Sequence, residues 1–374
     1  MSLPDPLELM GVEFKKVALI GVGLIGGSIG LRMHAMGYPG TIIGYDLPEV
    51  LDEAIMRGAI DHGVGDLSEA VADADLIVMA MTVDQIASLL PTVLRQARKG
   101  AVVTDTGPAK AELLRIAGAT QESNGVYIGG HPMAGSKHQG ISNSHAELFV
   151  SAYWLLCAPE GTPDEPYHSL KWWVRTLGAY PIGIDAEAHD KIIAMTTHMP
   201  FVLALALSNF IADNSSEMPL LQKLATGNFQ TMTSMAALPL GMWEAVIEFN
   251  RENLTHALGE FRKVLDECDE LVRTGRLSQL WQRAHSFQHR LARERPGDWE
   301  AQSELTVIVP DRPGAIARIS GLLAGHGINI RDIGLLHVRE RVGGVLRVTL
   351  ESRSDVHSAI QVLNDHGFKA SVKR

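Results

Sequence analysis

Cysteine is nearly missing. Cys157 and Cys268 are the two in 374 residues, far apart and without a CxxC pair. That excludes a disulfide framework and a cysteine zinc site, and a reducing cytoplasm is the expected setting. Basic charge is in deficit, with 33 Lys and Arg against 43 Asp and Glu and a net charge of −10. Nucleic acid or an anionic membrane is not expected as the main partner, although a local cationic pocket for a small anion is compatible with an acidic chain. Long apolar runs are also absent. The longest, "MPFVLALALSNFIA", is interrupted by Asn209 and falls short of the roughly 18–20 residues of a membrane span, so it reads as a buried helix. No basic segment leads into an apolar one at the start, so no signal peptide is expected. There is no Walker loop and no HExxH, and no serine hydrolase elbow is read. His131 with His138, and His285 with His289, have metal-like spacings but no supporting carboxylate group, so no metal is expected.

The chain does contain 46% apolar and 20% charged residues, an ordinary globular balance, over a length that calls for two or three domains. Strand-like runs "KKVALIGV", "TIIGYD", "DLIVMAM", "AVVTDTG", "VYIGGHP", "YWLLCAP" and "AYPIGID" alternate with helical stretches. This alternation predicts a Rossmann-type, doubly wound α/β domain over residues 1–185 with a largely parallel sheet. Residues 186–297 lack strand signals and show apolar residues at helical spacing, with Leu254, Leu258, Phe261 and Leu265 marking one buried face. An all-helical domain follows from this, and helices so long and apolar suggest burial across a homodimer. After the polar linker around Pro296-Gly297, residues 302–374 read β-α-β-β-α-β, a ferredoxin-like unit.

Gly21, Gly23 and Gly26 form G-x-G-x-x-G between the first strand and the first helix. The first glycine makes the tight turn, the second lets a pyrophosphate approach, and the third lets helix and strand pack. Asp46 ends the next strand at the spacing of a ribose-binding carboxylate, and no arginine follows it, which favours NAD over NADP. Leu24 and Ile25 within the turn, and Thr82 and Asp105 at the ends of neighbouring strands, complete the expected cofactor contacts. Ligands of doubly wound sheets sit beyond the carboxyl ends of the strands. Asp105 to Lys110 and His131 to Gln139 should therefore face the crevice, with His131 placed as a neutral base for a substrate hydroxyl.

The ordered set "GVGLIGGSIG", "DTGPAK", "GGHPMAGS", "HDKIIAMTTHMPF" and "MWEAVIEFN" resembles the prephenate/arogenate dehydrogenase family of tyrosine biosynthesis, and "VPDRPGAIARISGLLAGHGINIRDI" resembles an ACT domain. The resemblance covers nearly the whole chain. It implies an NAD-dependent oxidative decarboxylation of a dianionic cyclohexadienyl substrate, in which hydride passes from ring C4 to NAD+ and the ring aromatises as CO2 leaves. It implies that His131 contacts the C4 hydroxyl and that His198 is a second catalytic histidine, and His189-Asp190 fits the same pattern. Pro108, Lys137, Phe201 and Ser234 depart from the family's usual serine, glutamate, histidine and arginine. Ser234 lacks the bidentate fork that would bind a carboxylate. Two readings stay open: carboxylate binding has moved to Lys137, His138 or a partner subunit with the same reaction, or the role itself differs, the substrate being arogenate or a 4-amino analogue or the activity weak or lost in favour of sensing. The ACT resemblance implies an amino-acid effector, tyrosine by end-product logic, near Asp311, Gly314 and Asn329.

Overall fold

The computed structural model describes residues 14–135, 138–218, 220–293, 304–310, 313–339, 343–350 and 353–372. The chain divides into two compact units, 1–267 and 268–374.

In the first unit, eight strands form one sheet: β1 (Lys16–Ile20), β2 (Thr41–Tyr45), β3 (His62–Val64), β4 (Leu76–Met79), β5 (Val102–Asp105), β6 (Val126–Pro132), β7 (Tyr153–Cys157) and β8 (Tyr180–Gly183). Their order is β3-β2-β1-β4-β5-β6-β7-β8. Neighbours from β3 through β6 are parallel, whereas β7 runs antiparallel to β6 and parallel to β8. All seven strands read from the sequence form. β3 was not anticipated, because three residues are too few to show a period.

Alternation along the strands feeds two cores. Val17 and Leu19 of β1 enter the layer on one face, while Ala18 and Ile20 enter the other. Helices cover both faces, as a parallel sheet requires. The chain reverses direction across the sheet between β1 and β4, which opens a crevice beyond their carboxyl ends.

From Ala186 the polypeptide is helical. The segments Ala186–Ile193, a π turn Ala194–His198 and Met199–Asn214 form one continuous run of 29 residues. By length and composition the run is long enough to cross a membrane, and only 28% of its most apolar window is buried, so the helix expected to be buried is largely exposed within one chain. The stretch from Trp243 onward is likewise not one helix. It breaks at Asn250, between Glu244–Phe249 and Arg251–Arg273. Leu254 is buried as expected, but Leu265 is 50% exposed within one chain.

The second unit holds the helix Leu277–Arg293 and a four-stranded antiparallel sheet: β9 (Glu304–Val309), β10 (Ile330–Arg339), β11 (Gly343–Leu350) and β12 (Lys369–Val372), in the order β10-β11-β9-β12. Helices Ala315–Gly325 and Arg353–Asp365 complete the βαββαβ unit around its own core of Leu305, Val307, Ile319, Val348 and Leu363.

Candidate active site

Backbone geometry builds the first half of the site. Gly21 sits at φ +93°, a left-handed conformation that a side chain disfavours, and a Cβ there would lie 2.7 Å from the Ala80 carbonyl oxygen. A Cβ on Gly26 would overlap the Gly21 carbonyl, so the helix Leu24–Ala35 can close on the turn only without one. At Gly23 a Cβ would meet nothing within 4 Å. That open cradle at a helix N-terminus suits a pyrophosphate. Leu24 and Ile25 are half-buried in the same turn.

Asp46 ends β2 beside it. One carboxylate oxygen accepts the Val22 N–H at 2.7 Å and the other accepts the Leu47 N–H at 2.7 Å. A cleft of 920 Å³ continues from Gly21 and Asp46 between Leu47, Ile55, Met81 and Leu89, with Asp52 and Asp84 at its rim. Its lining contains carboxylates and no lysine or arginine, which fits a ribose with free hydroxyls and repels a 2′-phosphate. Exposed Thr82 caps the helix Val83–Gln96, its hydroxyl donating at 2.9 Å to the Gln85 side chain.

Asp105 departs from expectation. It is fully buried, and its oxygens accept from Gly107 N–H (2.7 Å), Tyr127 hydroxyl (2.6 Å), Gly130 N–H (3.3 Å) and the Lys110 ammonium. A carboxylate enclosed by four donors has no face left for a cofactor. Lys110 is equally buried, and its Nζ also donates to the Gly130 carbonyl at 2.8 Å. The double glycine before His131 follows from this packing. A Cβ on Gly129 would press to 3.0 Å from the Lys110 side chain, and one on Gly130 would overlap the Asp105 carbonyl oxygen. Burial beside Asp105 drives the Tyr127 hydroxyl well above its ordinary pKa, which keeps it a donor.

His131 is the penultimate residue of β6, not a loop residue, and is half-buried at the carboxyl end of the parallel strands, the end that carries the glycine turn. Its Nδ1 lies 2.9 Å from Nε2 of His189, whose Nδ1 lies 2.7 Å from Asp190 Oδ1. This chain fixes both tautomers. The carboxylate needs a proton on His189 Nδ1, so His189 Nε2 must accept. His131 then donates from Nδ1, leaving its Nε2 with a free lone pair. Burial lowers the His131 pKa well below the ordinary value, reinforced by His189, Lys110 and His198, so the imidazole is neutral at pH 7.

Asp190 is itself held by the backbone N–H groups of Lys110 (2.8 Å) and Ala111 (2.9 Å). Asn250, at the helix break, donates at 2.7 Å to the Asp190 carbonyl. Its amide nitrogen also faces His198 Nδ1 at 3.2 Å, so that nitrogen accepts and the His198 proton sits on Nε2. His198 Nε2 is buried without a partner, beside Trp243, whose indole stacks on Phe201 at 4.0 Å between ring centroids. Burial pushes the His198 pKa down to about 4, against the opposing pull of Asp190.

The structure thus links His131 and His198 through His189, Asp190 and Asn250. Asn250 and Tyr127 were not anticipated as parts of the network, and Lys110, expected to face the crevice, is buried inside it; no local pattern in the sequence marks these contacts. Ser234 does not join it: its hydroxyl donates at 3.2 Å to the Thr231 carbonyl. His138 is exposed in the loop after β6, and Lys137 lies outside the described residues. In the second unit Gly314 takes a left-handed φ of +80° at the N-terminus of Ala315–Gly325, and Asn329 is exposed. Asp311 lies outside the described residues. Among the described residues no group of three or more potential metal ligands occurs.

The sequence matches the description "Prephenate dehydrogenase, nucleotide-binding domain" over residues 29–182, "Prephenate dehydrogenase, dimerization domain" over 185–285 and "ACT domain" over 303–368. It is 32% identical over 356 residues to the prephenate dehydrogenase of Lactococcus lactis subsp. cremoris (strain MG1363), covering 93% of this chain and 97% of that one. With the prephenate dehydrogenase of Bacillus subtilis (strain 168) it shares 28% over 353 residues, 93% and 95% of the two chains. The crystal structure of Synechocystis arogenate dehydrogenase is similar with a TM-score of 0.66 and 25% identity, over 74% of this chain and 99% of that one. The chain belongs to the prephenate dehydrogenase family and joins that family's two domains to a C-terminal ACT domain.

Proposed function

We propose that this protein is an NAD-dependent prephenate dehydrogenase that converts prephenate to 4-hydroxyphenylpyruvate in tyrosine biosynthesis, as a homodimer answering to an amino-acid effector. The observation that carries the reading is the Asp190–His189–His131 chain, which leaves one imidazole lone pair on a residue at the carboxyl end of the sheet, the end that also carries the glycine turn. NAD+, when bound, takes up hydride from ring C4. Gly21, Gly23 and the helix N-terminus would hold its pyrophosphate, and Asp46 its ribose hydroxyls.

His131 Nε2 receives the proton of the C4 hydroxyl. As the imidazolium forms, its Nδ1–H keeps donating to His189 Nε2, and the Asp190 carboxylate balances the charge through that ring. As the ring carboxylate departs as CO2, its bonding electron pair passes through the ring to the C4 oxygen, which takes its proton back from His131, so the protein's contribution is alignment and one base that is regenerated. His198 offers its unpartnered Nε2–H to a polar group of the substrate. Lys110 is paired and buried, so the substrate's carboxylates fall to Lys137, His138 or a residue of the second subunit. Exposed Phe210 (63%), Leu224 (74%) and Met232 (70%) in the helical domain supply an apolar face for that subunit. The open backbone at Gly314 suits the carboxylate of an effector, with tyrosine the end-product candidate.

Arogenate is the second reading, because Ser234 stands where the family's carboxylate-binding arginine is expected. Purified protein is given NAD+ with prephenate or with arogenate, and NADH and the aromatic product are followed with and without tyrosine. Prephenate turnover is expected, and His131→Ala should lower it by about 10²–10⁴-fold. Product from arogenate alone moves the assignment to the second reading, and product from neither overturns both.

A further inference from the structure

Lys110 is fully buried and has no place in the proton transfer described above. It is nevertheless the residue on which the network converges. Its ammonium bonds the Asp105 carboxylate of β5 and, at 2.8 Å, the carbonyl of Gly130, the residue before His131. Its own backbone N–H reaches Asp190 Oδ1 at 2.8 Å, and the next N–H, of Ala111, reaches Oδ2 at 2.9 Å. One residue thereby holds both the strand that carries His131 and the carboxylate that fixes His189.

An architectural anchor needs no charge here. Replacing a buried ion pair by apolar side chains of similar volume is often neutral or stabilising, and Gly129 already shapes the strand around an unbranched side chain. The charge lies one carbonyl away from His131. A cation so placed opposes a second positive charge on that imidazole.

We infer that Lys110 is a positioning residue for the proposed proton transfer: it sets the register of His131 against His189 and keeps a cation one carbonyl away from the His131 imidazole. The inference rests on the reading of His131 as the base. Among the described residues, the titratable and charged groups around His131 are His189 and Asp190 from the helix Ala186–Ile193, and His198 from the π turn. Asp105 and Lys110 approach from β5 and the loop after it, and Tyr127 from β6 itself. The Asp105 charge is shared among Tyr127, Gly107 and Gly130 as well as Lys110, so its opposing influence is spread.

The test is the pH profile of kcat/KM for wild type, Lys110→Met, Lys110→Arg and His131→Gln, with kcat and KM measured separately. Lys110→Met should lower kcat by about 10–100-fold, the scale of a small misplacement of reacting groups, with the KM for NAD+ held within about twofold. Loss of the cation makes the imidazolium easier to form, so the acid limb should move to higher pH, by about one unit. Lys110→Arg keeps the charge and should keep the wild-type limb even where its bulk reduces kcat. An unmoved limb in Lys110→Met, or a loss confined to KM, overturns the inference. If Lys110→Met is not recovered folded because Asp105 is left unpaired, Asp105→Asn with Lys110→Met removes both charges. That variant should fold yet turn over slowly for want of the tie to Gly130, and a wild-type kcat in it overturns the inference equally. An acid limb that survives in His131→Gln defeats the reading of the base itself. A limb that needs His131 but ignores residue 110 defeats the role of Lys110 alone.

Discussion

Among the described residues two pairs of imidazoles meet nitrogen to nitrogen within hydrogen-bond distance, and they are not alike. His131 and His189 meet at 2.9 Å with ring centroids 5.1 Å apart. His285 and His289 meet at 3.1 Å with centroids 4.3 Å apart, one helical turn from each other on Leu277–Arg293. By contact distance alone the second pair is as close as the first. The difference lies in the third partner and in the solvent. Asp190 sets the tautomer of His189 and, through it, that of His131, whereas both rings of the second pair are exposed to water. Two histidines in contact are therefore only a spacing. A carboxylate behind them, in a dry setting, gives them direction.

That comparison breaks most readily at Asp190. In Asp190→Asn the amide can no longer accept from Lys110, Ala111 and His189 together, and His189 loses the group that holds its proton on Nδ1. His131 is then free to protonate on the wrong nitrogen. Turnover should fall by about 10²–10³-fold, since a misassigned tautomer removes the base without removing the residue. A circular dichroism spectrum like that of the wild type, together with that loss, assigns the effect to the tautomer. Activity within twofold of wild type would make the buried pair no different from the exposed one.

The dry setting has its own signature. His198 is neutral when folded, its pKa pushed down to about 4, and has an ordinary value of 6.5 when unfolded. Between those values the unfolded chain binds the extra proton, so stability is whole above pH 6.5 and is lost as the pH falls towards 4. The loss attributable to this residue is roughly 2–3 kcal/mol. Urea unfolding at several pH values should show a slope in this window that flattens in His198→Gln. An equal slope in both proteins would mean that water reaches the ring.

The same contrast shows what the sequence could and could not reveal. The strands, the glycine turn, Asp46 and the βαββαβ unit were legible because each rests on local periodicity or a turn that only glycine permits. His131 was legible as a residue, but its mechanism was not. Asp105 ends a strand where ligands usually bind, and nothing in "DTGPAK" says that Lys110 folds back to enclose it. His189 and His198 are nine residues apart, which at about 100° per residue sets them on opposite sides of an ideal α-helix. The π turn at Ala194–His198 inserts one extra residue and brings them towards a common side. Asn250 reads as one more polar residue in a helical stretch, yet it is 2% exposed, at the break that turns its amide inward. Each of these depends on a non-local bond or a local defect, and hydrophobic patterning carries neither.

The smallest effect belongs to the exposed pair. His285 stacks on Trp281 at 4.5 Å between centroids, and nothing among the described contacts ties either histidine to a carboxylate. Replacing both by asparagine removes the ring contact but leaves helix propensity nearly unchanged. Surface substitutions of this kind stay within about 0.5 kcal/mol, so kcat, KM and urea midpoint should all match the wild type. A tenfold loss of turnover in that double variant would mean that imidazole contact, with no carboxylate behind it, is enough to carry function. The distinction between the two pairs would then have to be sought in what each faces and not in what holds its protons.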